Sequence, residues 1–146
     1  MLAMQDTLQH TLQNFTDRIL QASQTGKALR LRGGGTKDFL GQSLQGEVLD
    51  TRAYSGILSY EPSELVITVR CGTPLAEVEA ALAEKGQSFA FEPPHFGEGA
   101  TIGGMVAAGL SGPARASVGT VRDFVLGARV INGKGEHLTF GGQVMK

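Results

Sequence analysis

Glycine is the residue type whose spacing most clearly suggests a ligand site in this sequence. The chain has 146 residues and 21 glycines, about twice the ordinary share of ~7%. Three clusters follow predicted strands, at residues 33–35, 97–104 and 141–142. Backbone amides without side chains can surround a phosphate, and several cations lie close in sequence, namely Arg32, Lys37 and Arg122. Each cluster alone is explained by a tight turn, but together they indicate a phosphate-bearing ligand.

Two familiar phosphate motifs do not account for these clusters. A Walker A loop fails because Gln21 stands where glycine is needed and Ala28 has no hydroxyl for magnesium. Gly97, Gly99 and Gly103 form GxGxxxG, a relative of the Rossmann fingerprint. The two prolines before it do not suit a central parallel strand. An NADP-binding domain built on these glycines therefore remains only a lesser alternative.

Short strands and two or three helices are predicted to position the glycines. The first helix carries an apolar stripe and ends at Gly26, and the second covers residues 74–85 with Thr73 as N-cap. Residues 97–112 are expected to form a glycine-rich loop, and residues 132–135 a hairpin turn. In the first strand, alternation predicts leucines toward the core and arginines toward solvent. This mixture favours an α+β fold; the strands are predicted at residues 28–32, 48–50, 57–60, 65–70, 88–91, 121–131 and 136–140.

Composition excludes several classes of protein. The hydrophobic content of 41% and charged content of 18% fit one ordinary globular domain. A formal charge of -1 gives no electrostatic footprint for nucleic acid or an anionic membrane, and no apolar stretch reaches the roughly 18 residues of a membrane span. Cys71 is the only cysteine, so an internal disulfide is impossible and a cytoplasmic location is expected.

No cofactor-independent catalytic arrangement is evident. His10, His95 and His137 lack metal-ligand spacing, so no metal site and no catalytic residue are predicted. His95 is the best functional candidate of the three, although a surface loop histidine is the better explanation. Asp123 is expected either to pair with Arg122 or to support a cofactor loop.

Four segments resemble the FAD-binding domain of the vanillyl-alcohol oxidase / p-cresol methylhydroxylase flavoprotein superfamily. They are LRGGGTKDF at residues 31–39, EPP at 92–94, ATIGGMVAAGLSGP at 100–113 and GTVRDFVLG at 119–127. Within that superfamily the match is closest to the FAD-binding subunits of bacterial glycolate oxidases, and it covers nearly the whole chain from residue 29.

The resemblance implies a fold of two small α/β subdomains with FAD between them. A helix over residues 1–26 would precede a first subdomain at 27–92 and a second at 93–146. The second is expected to be incomplete at its C-terminus, where residues 140–146 include a glycine pair and no helix. The cap or substrate domain of the superfamily would then be absent.

The resemblance also implies which residues hold the cofactor. Residues 33–38 would cradle the pyrophosphate, and residues 101–104 together with Gly109 would form the opposite wall. Adenosine would lie toward Gly119 and Val130, and a side chain on the cradle glycines would stand between the amides and the phosphate. The implied cofactor-binding residues are Arg32, Gly33, Gly34, Gly35, Thr36, Lys37, Asp38, Pro94, Gly99, Ala100, Thr101, Gly103, Gly104, Gly109, Gly119, Asp123 and Val130.

The resemblance predicts dissociable FAD and a role in 2-hydroxy acid oxidation. Members with covalent flavin carry histidine where this chain has Thr36, or cysteine near Gly99. The implied reaction is hydride transfer from glycolate or a related acid to FAD. The implied partners are a second flavin subunit and an iron–sulfur subunit, in a complex at the cytoplasmic face of the membrane. The alternative is a non-catalytic FAD-binding fragment.

Overall fold

The computed structural model describes residues 2–143, with side chains from residue 6 onward, so residues 144–146 of the predicted C-terminus lie outside the described residues. Helices and strands are mixed along the chain, and this confirms the α+β prediction. The helices are α1 (Leu2–Thr25), α2 (Leu75–Ala83), α3 (Ile102–Ala108), α4 (Arg115–Val118) and α5 (Val121–Phe124). The strands are β1 (Leu29–Arg32), β2 (Glu47–Asp50), β3 (Ile57–Glu61), β4 (Val66–Val69), β5 (Gly127–Ile131) and β6 (His137–Gly141), and a 3-10 turn at Pro62–Glu64 joins β3 to β4.

The strands associate in pairs. Strands β1 and β2 are parallel, with Leu31 opposite Leu49. Strands β3 and β4 are antiparallel, with an irregularity between Ile57 and Ser59. Strands β5 and β6 form the predicted hairpin around residues 132–135, with Val130 opposite Leu138. The first glycine cluster, at residues 33–35, therefore follows a strand as predicted, and Gly141 of the third is the last residue of β6. The second cluster, at residues 97–104, follows coil and not a strand.

The buried core lies under the second glycine cluster. It contains Leu75, Phe91, Ala100, Met105 and Val121, each at most 5% exposed. These residues come from α2, α3, α5 and the loops between them. Burial of such side chains is the main favourable term in folding, and Ala100 of the second cluster is itself part of this core.

The strand predicted at residues 88–91 is wrong. These residues form coil and turn, yet Phe91 is 1% exposed. Its ring lies 5.3 Å from the ring of Phe89 and 5.2 Å from that of Phe124, measured between centroids. An aromatic anchor in a turn gives the same apolar signal as a short buried strand, and only its tertiary contacts distinguish the two.

The glycine-rich loop predicted at residues 97–112 contains a helix, α3. Thr101 starts it as N-cap, because its Oγ1 accepts the N–H of Gly104 at 3.1 Å. Gly109 ends it with a left-handed φ of 63°. Glycine is a poor helix former, but a Cβ at Gly103 would lie 2.7 Å from the Cβ of Cys71. The contact with Cys71, which is distant in sequence, thus explains why glycine occupies this position. Helix propensity alone would argue against a helix here.

Three further details differ from prediction. The first part of the strand predicted at residues 121–131 is helix α5. Leu31 is 70% exposed, whereas the arginines of β1 pair with a carboxylate, so the predicted facing of this strand is wrong.

Pro74, not Thr73, is the N-cap of α2. Thr73 is fully buried, and its hydroxyl accepts the Gly56 N–H at 2.8 Å and donates to the Arg70 carbonyl at 2.8 Å.

Candidate functional site

The first loop, residues 33–38, leaves the end of β1 and is held by a shared carboxylate. Asp38 accepts hydrogen bonds from Arg30 Nη2 and Arg32 Nε, each at 2.9 Å. The Arg32 hydrogen bond is the main cause that lowers the pKa of Asp38, and Arg30 adds to it. The Asp38 N–H donates to the Gly35 carbonyl at 3.1 Å. Two guanidinium groups on one carboxylate leave this loop with an excess of positive charge.

The amides of the first loop are available to a ligand. Within residues 2–143, the N–H groups of residues 33–37 donate to no protein group. Gly35 has a left-handed φ of 72°, a conformation that glycine adopts without a steric penalty. Successive backbone N–H groups in such a turn form an anion-binding concavity. Thr36 and Lys37 are half-buried beside them.

The second loop, residues 97–104, is fixed to the segment before α2 by backbone hydrogen bonds. The Leu75 N–H donates to the Ala100 carbonyl at 2.7 Å, and the Gly103 N–H donates to the Cys71 carbonyl at 2.8 Å. Thr101 is 4% exposed. In the described chain the amides of residues 97–101 have no protein acceptor either. The second loop therefore contains a second run of N–H groups without a protein acceptor among the described residues.

The two loops pack directly on each other. A Cβ at Gly33 would collide with Thr101 Oγ1, and one at Gly34 would collide with the carbonyl oxygen of Gly99. The expectation that side chains at these two glycines would stand in the phosphate path is therefore corrected. The space that a side chain would take is filled by the opposite loop, so these glycines allow the two loops to come together.

Lys37 does not extend freely into solvent. Its Nζ lies 5.7 Å from the centroid of the Phe96 ring, and partial burial lowers its pKa. Phe96 also contacts Phe39, with ring centroids 5.2 Å apart in an edge-to-face arrangement. Neither phenylalanine was among the predicted site residues, because an isolated aromatic residue in a loop carries no sequence signal of its partner.

The remaining predicted residues have local roles in the structure. Gly109 and Gly119 end α3 and α4. Asp123 accepts the N–H of Thr120 at 2.7 Å in a capping box, and this hydrogen bond is the main cause that lowers its pKa. Val130 lies on β5 and is 43% exposed. Within residues 2–143 no hydrogen bond or ion pair joins these four residues to either loop, and Pro94 is half-buried before the second loop.

His95 and Cys71 lie near the second loop. His95 Nε2 lies 2.9 Å from Glu79 Oε2 and lines an open groove of about 360 Å³ together with Glu98 and Gly99. Burial raises the pKa of the Cys71 thiol, as befits a packed side chain. Across residues 2–143, no three His, Cys, Asp or Glu side chains are grouped to hold a metal ion. Nor does this part of the chain contain a helix long and apolar enough to cross a membrane.

Comparison with known proteins identifies similar domains. A model of the FAD binding domain family matches residues 10–141. The chain is 53% identical over 134 residues to glycolate oxidase subunit GlcE of Escherichia coli K12, which covers 92% of this chain and 38% of that protein. It is 33% identical to a D-lactate dehydrogenase of Archaeoglobus fulgidus, over 80% of this chain and 26% of that protein. The chain thus spans well under half the length of these curated relatives.

Solved structures show the same fold at low sequence identity. Phl p 4.0202, a glucose dehydrogenase, matches with a TM-score of 0.71 and 16% identity, over 88% of this chain and 27% of that one. Xylooligosaccharide oxidase from Myceliophthora thermophila C1 matches with a TM-score of 0.69 and 22% identity, over 89% of this chain and 28% of that one. At these identities the likeness shows the fold alone.

Proposed function

The chain belongs to the FAD binding domain family and its cofactor is FAD, and we propose that it serves an enzyme that oxidises glycolate or a related short 2-hydroxy acid. The two curated relatives are named for glycolate and D-lactate, and both compounds are 2-hydroxy acids. FAD supplies the redox chemistry by accepting a hydride, and the protein supplies binding, orientation and electrostatics. The NADP-binding alternative has no support from these comparisons.

The first loop is proposed to hold the FAD pyrophosphate. The observation that carries this assignment is the run of unpaired amides at residues 33–37. A diphosphate offers acceptor oxygens to these donors, and Thr36 adds a hydroxyl. The guanidinium of Arg32, which shares Asp38 with Arg30, and the ammonium of Lys37 offset part of the diphosphate charge.

The second loop is proposed as the opposite wall of the same site. Gly99, Ala100 and Thr101 touch the first loop through its glycines, and their N–H groups have no acceptor among the described residues. Gly103 and Gly104 begin the helix that supports this wall, and the proposal places Pro94 and Gly109 at its margins. Adenosine is placed toward Gly119, Asp123 and Val130. Subdomains at residues 27–92 and 93–146 around the cofactor are part of the same proposal.

FAD is expected to be dissociable from this chain. A covalent flavin link needs a nucleophilic side chain, and neither loop contains histidine or cysteine between residues 33–38 or 97–104. Precipitation of the FAD-loaded chain with acid should leave the flavin in the supernatant, as measured by its visible absorption. Flavin that remains with the washed, denatured protein would contradict non-covalent binding.

The protein is proposed to act as one subunit of a larger enzyme. GlcE is named as a subunit of glycolate oxidase, which supports assembly with further chains. We propose a second flavin subunit and an iron–sulfur subunit as partners, in a complex at the cytoplasmic face of the membrane.

Turnover by the FAD-loaded chain tests whether the described domain itself oxidises substrate. The purified chain is saturated with FAD and mixed with glycolate or D-lactate and an artificial electron acceptor whose reduction is followed by absorption. Turnover of either acid would exclude the alternative of a non-catalytic FAD-binding fragment. Bound FAD without turnover would favour that alternative, whereas saturation by NADPH without FAD binding would contradict the assignment of the site.

A further inference from the structure

Three side chains connect the two loops outside the glycine contacts. Phe39 follows the first loop, and Phe96 directly precedes the second. Their rings meet edge to face with centroids 5.2 Å apart, and Lys37 Nζ lies 5.7 Å from the centroid of the Phe96 ring. We call these three residues the aromatic clamp.

Each loop is otherwise fixed to its own surroundings. Asp38 ties the first loop to β1 through Arg30 and Arg32. The carbonyl of Ala100 ties the second loop to α2 through the Leu75 N–H. No hydrogen bond or ion pair joins one loop to the other within residues 2–143. The spacing between the loops therefore depends on the contacts of the glycines and on the aromatic clamp.

Phe96 is an unusual residue for its position. It has a left-handed φ of 56°, which carries a steric penalty for a residue with a side chain, and it is 53% exposed. Neither local backbone preference nor core burial explains a phenylalanine there. The contacts of its ring with Phe39 and Lys37 explain the aromatic side chain, because edge-to-face ring pairs and a cation over a ring are both attractive interactions.

We propose that Phe96 is a positioning residue for the cofactor. Its ring holds the two loops at the spacing at which the unpaired amides of both loops face one diphosphate. This inference rests on the proposed FAD site. Without the ring, each loop keeps its own hydrogen bonds but gains freedom relative to the other. The amides then lose part of their preorganisation, and ordering them again on binding reduces affinity.

The test compares FAD affinity among variants of the full chain. Phe96→Ala keeps a side chain at the left-handed position and removes only the ring, and it should weaken FAD binding about tenfold, the scale of one aromatic contact with its cation. Phe96→Tyr should restore affinity close to that of the wild type. Leu65→Ala is the matched control, because Leu65 has the same left-handed φ of 56°, is 69% exposed and belongs to neither loop. Affinity is measured by the change in flavin fluorescence on titration.

Hydrogen exchange of the chain saturated with FAD separates positioning from general stability. In the wild type, FAD should protect the amides of a peptide covering residues 33–40, whose N–H groups at residues 33–37 have no protein acceptor within residues 2–143. Phe96→Ala should reduce that protection and leave α1 unchanged. Unchanged affinity and unchanged exchange in that peptide would overturn the clamp and leave the FAD site intact. A wild-type chain that bound no FAD would instead overturn the proposed site. A uniform rise in exchange over the whole chain would overturn positioning in favour of a structural role.

Discussion

Gly34→Ala is expected to weaken FAD binding about a hundredfold. A Cβ at this position would collide with the carbonyl oxygen of Gly99, which is backbone and cannot rotate away. Overpacking of this kind costs about 1–3 kcal/mol, and every ~1.4 kcal/mol is tenfold in affinity. The first and second loops must separate to admit the methyl group, so their amides no longer meet one diphosphate. Titration of the variant with FAD, followed by flavin fluorescence, measures the loss.

Gly133→Ala is the matched control for this prediction. Like Gly34, Gly133 has no left-handed φ, but no atom lies within 4 Å of the Cβ that alanine would add. Its FAD affinity should equal that of the wild type. Thermal unfolding of both FAD-free variants shows whether Gly34→Ala remains folded. A folded Gly34→Ala chain with wild-type affinity would refute the assignment of the pyrophosphate to the junction of the loops.

Gly103→Ala is expected to lower the free energy of unfolding by about 3 kcal/mol. The added Cβ would lie 2.7 Å from the Cβ and 2.9 Å from the carbonyl oxygen of Cys71. It would also strain the hydrogen bond from the Gly103 N–H to that carbonyl, which is 2.8 Å long. Alanine normally favours a helix by roughly 1 kcal/mol over glycine. A decrease in the free energy of unfolding would therefore be caused by the close contact with Cys71. Urea denaturation measures the change.

Gly104→Ala in the same helix is the comparison that makes this result specific. Its added Cβ would meet only the Thr101 side-chain oxygen, at 3.1 Å. Its free energy of unfolding should change by less than about 1 kcal/mol, because the propensity gain opposes a mild contact. Equal stability of the two variants would show that the approach of α3 to Cys71 does not limit the fold.

The sequence signals of the proposed site are local in the first loop. The glycines at residues 33–35 follow a confirmed strand, and Thr36 and Lys37 lie beside N–H groups that have no protein acceptor in the described part of the chain. The capping role of Thr101 and the contact between the rings of Phe96 and Phe39 were not predicted. Both depend on partners that adjacent residues do not reveal: the start of an unexpected helix for Thr101, and the ring of Phe39 for Phe96.

The sequence by itself determined the elements whose information is periodic or lies in a turn. Side-chain spacing predicts the apolar stripe of α1 and helix α2. Residues that tolerate turn conformations predict the end of α1 at Gly26 and the hairpin at residues 132–135. Only the tertiary structure decided why Gly34 and Gly103 lack side chains, because the atoms that exclude a Cβ belong to Gly99 and Cys71. The physical reason is that hydrophobic spacing and backbone preference act between neighbours, whereas steric exclusion acts between any two atoms that the fold brings together.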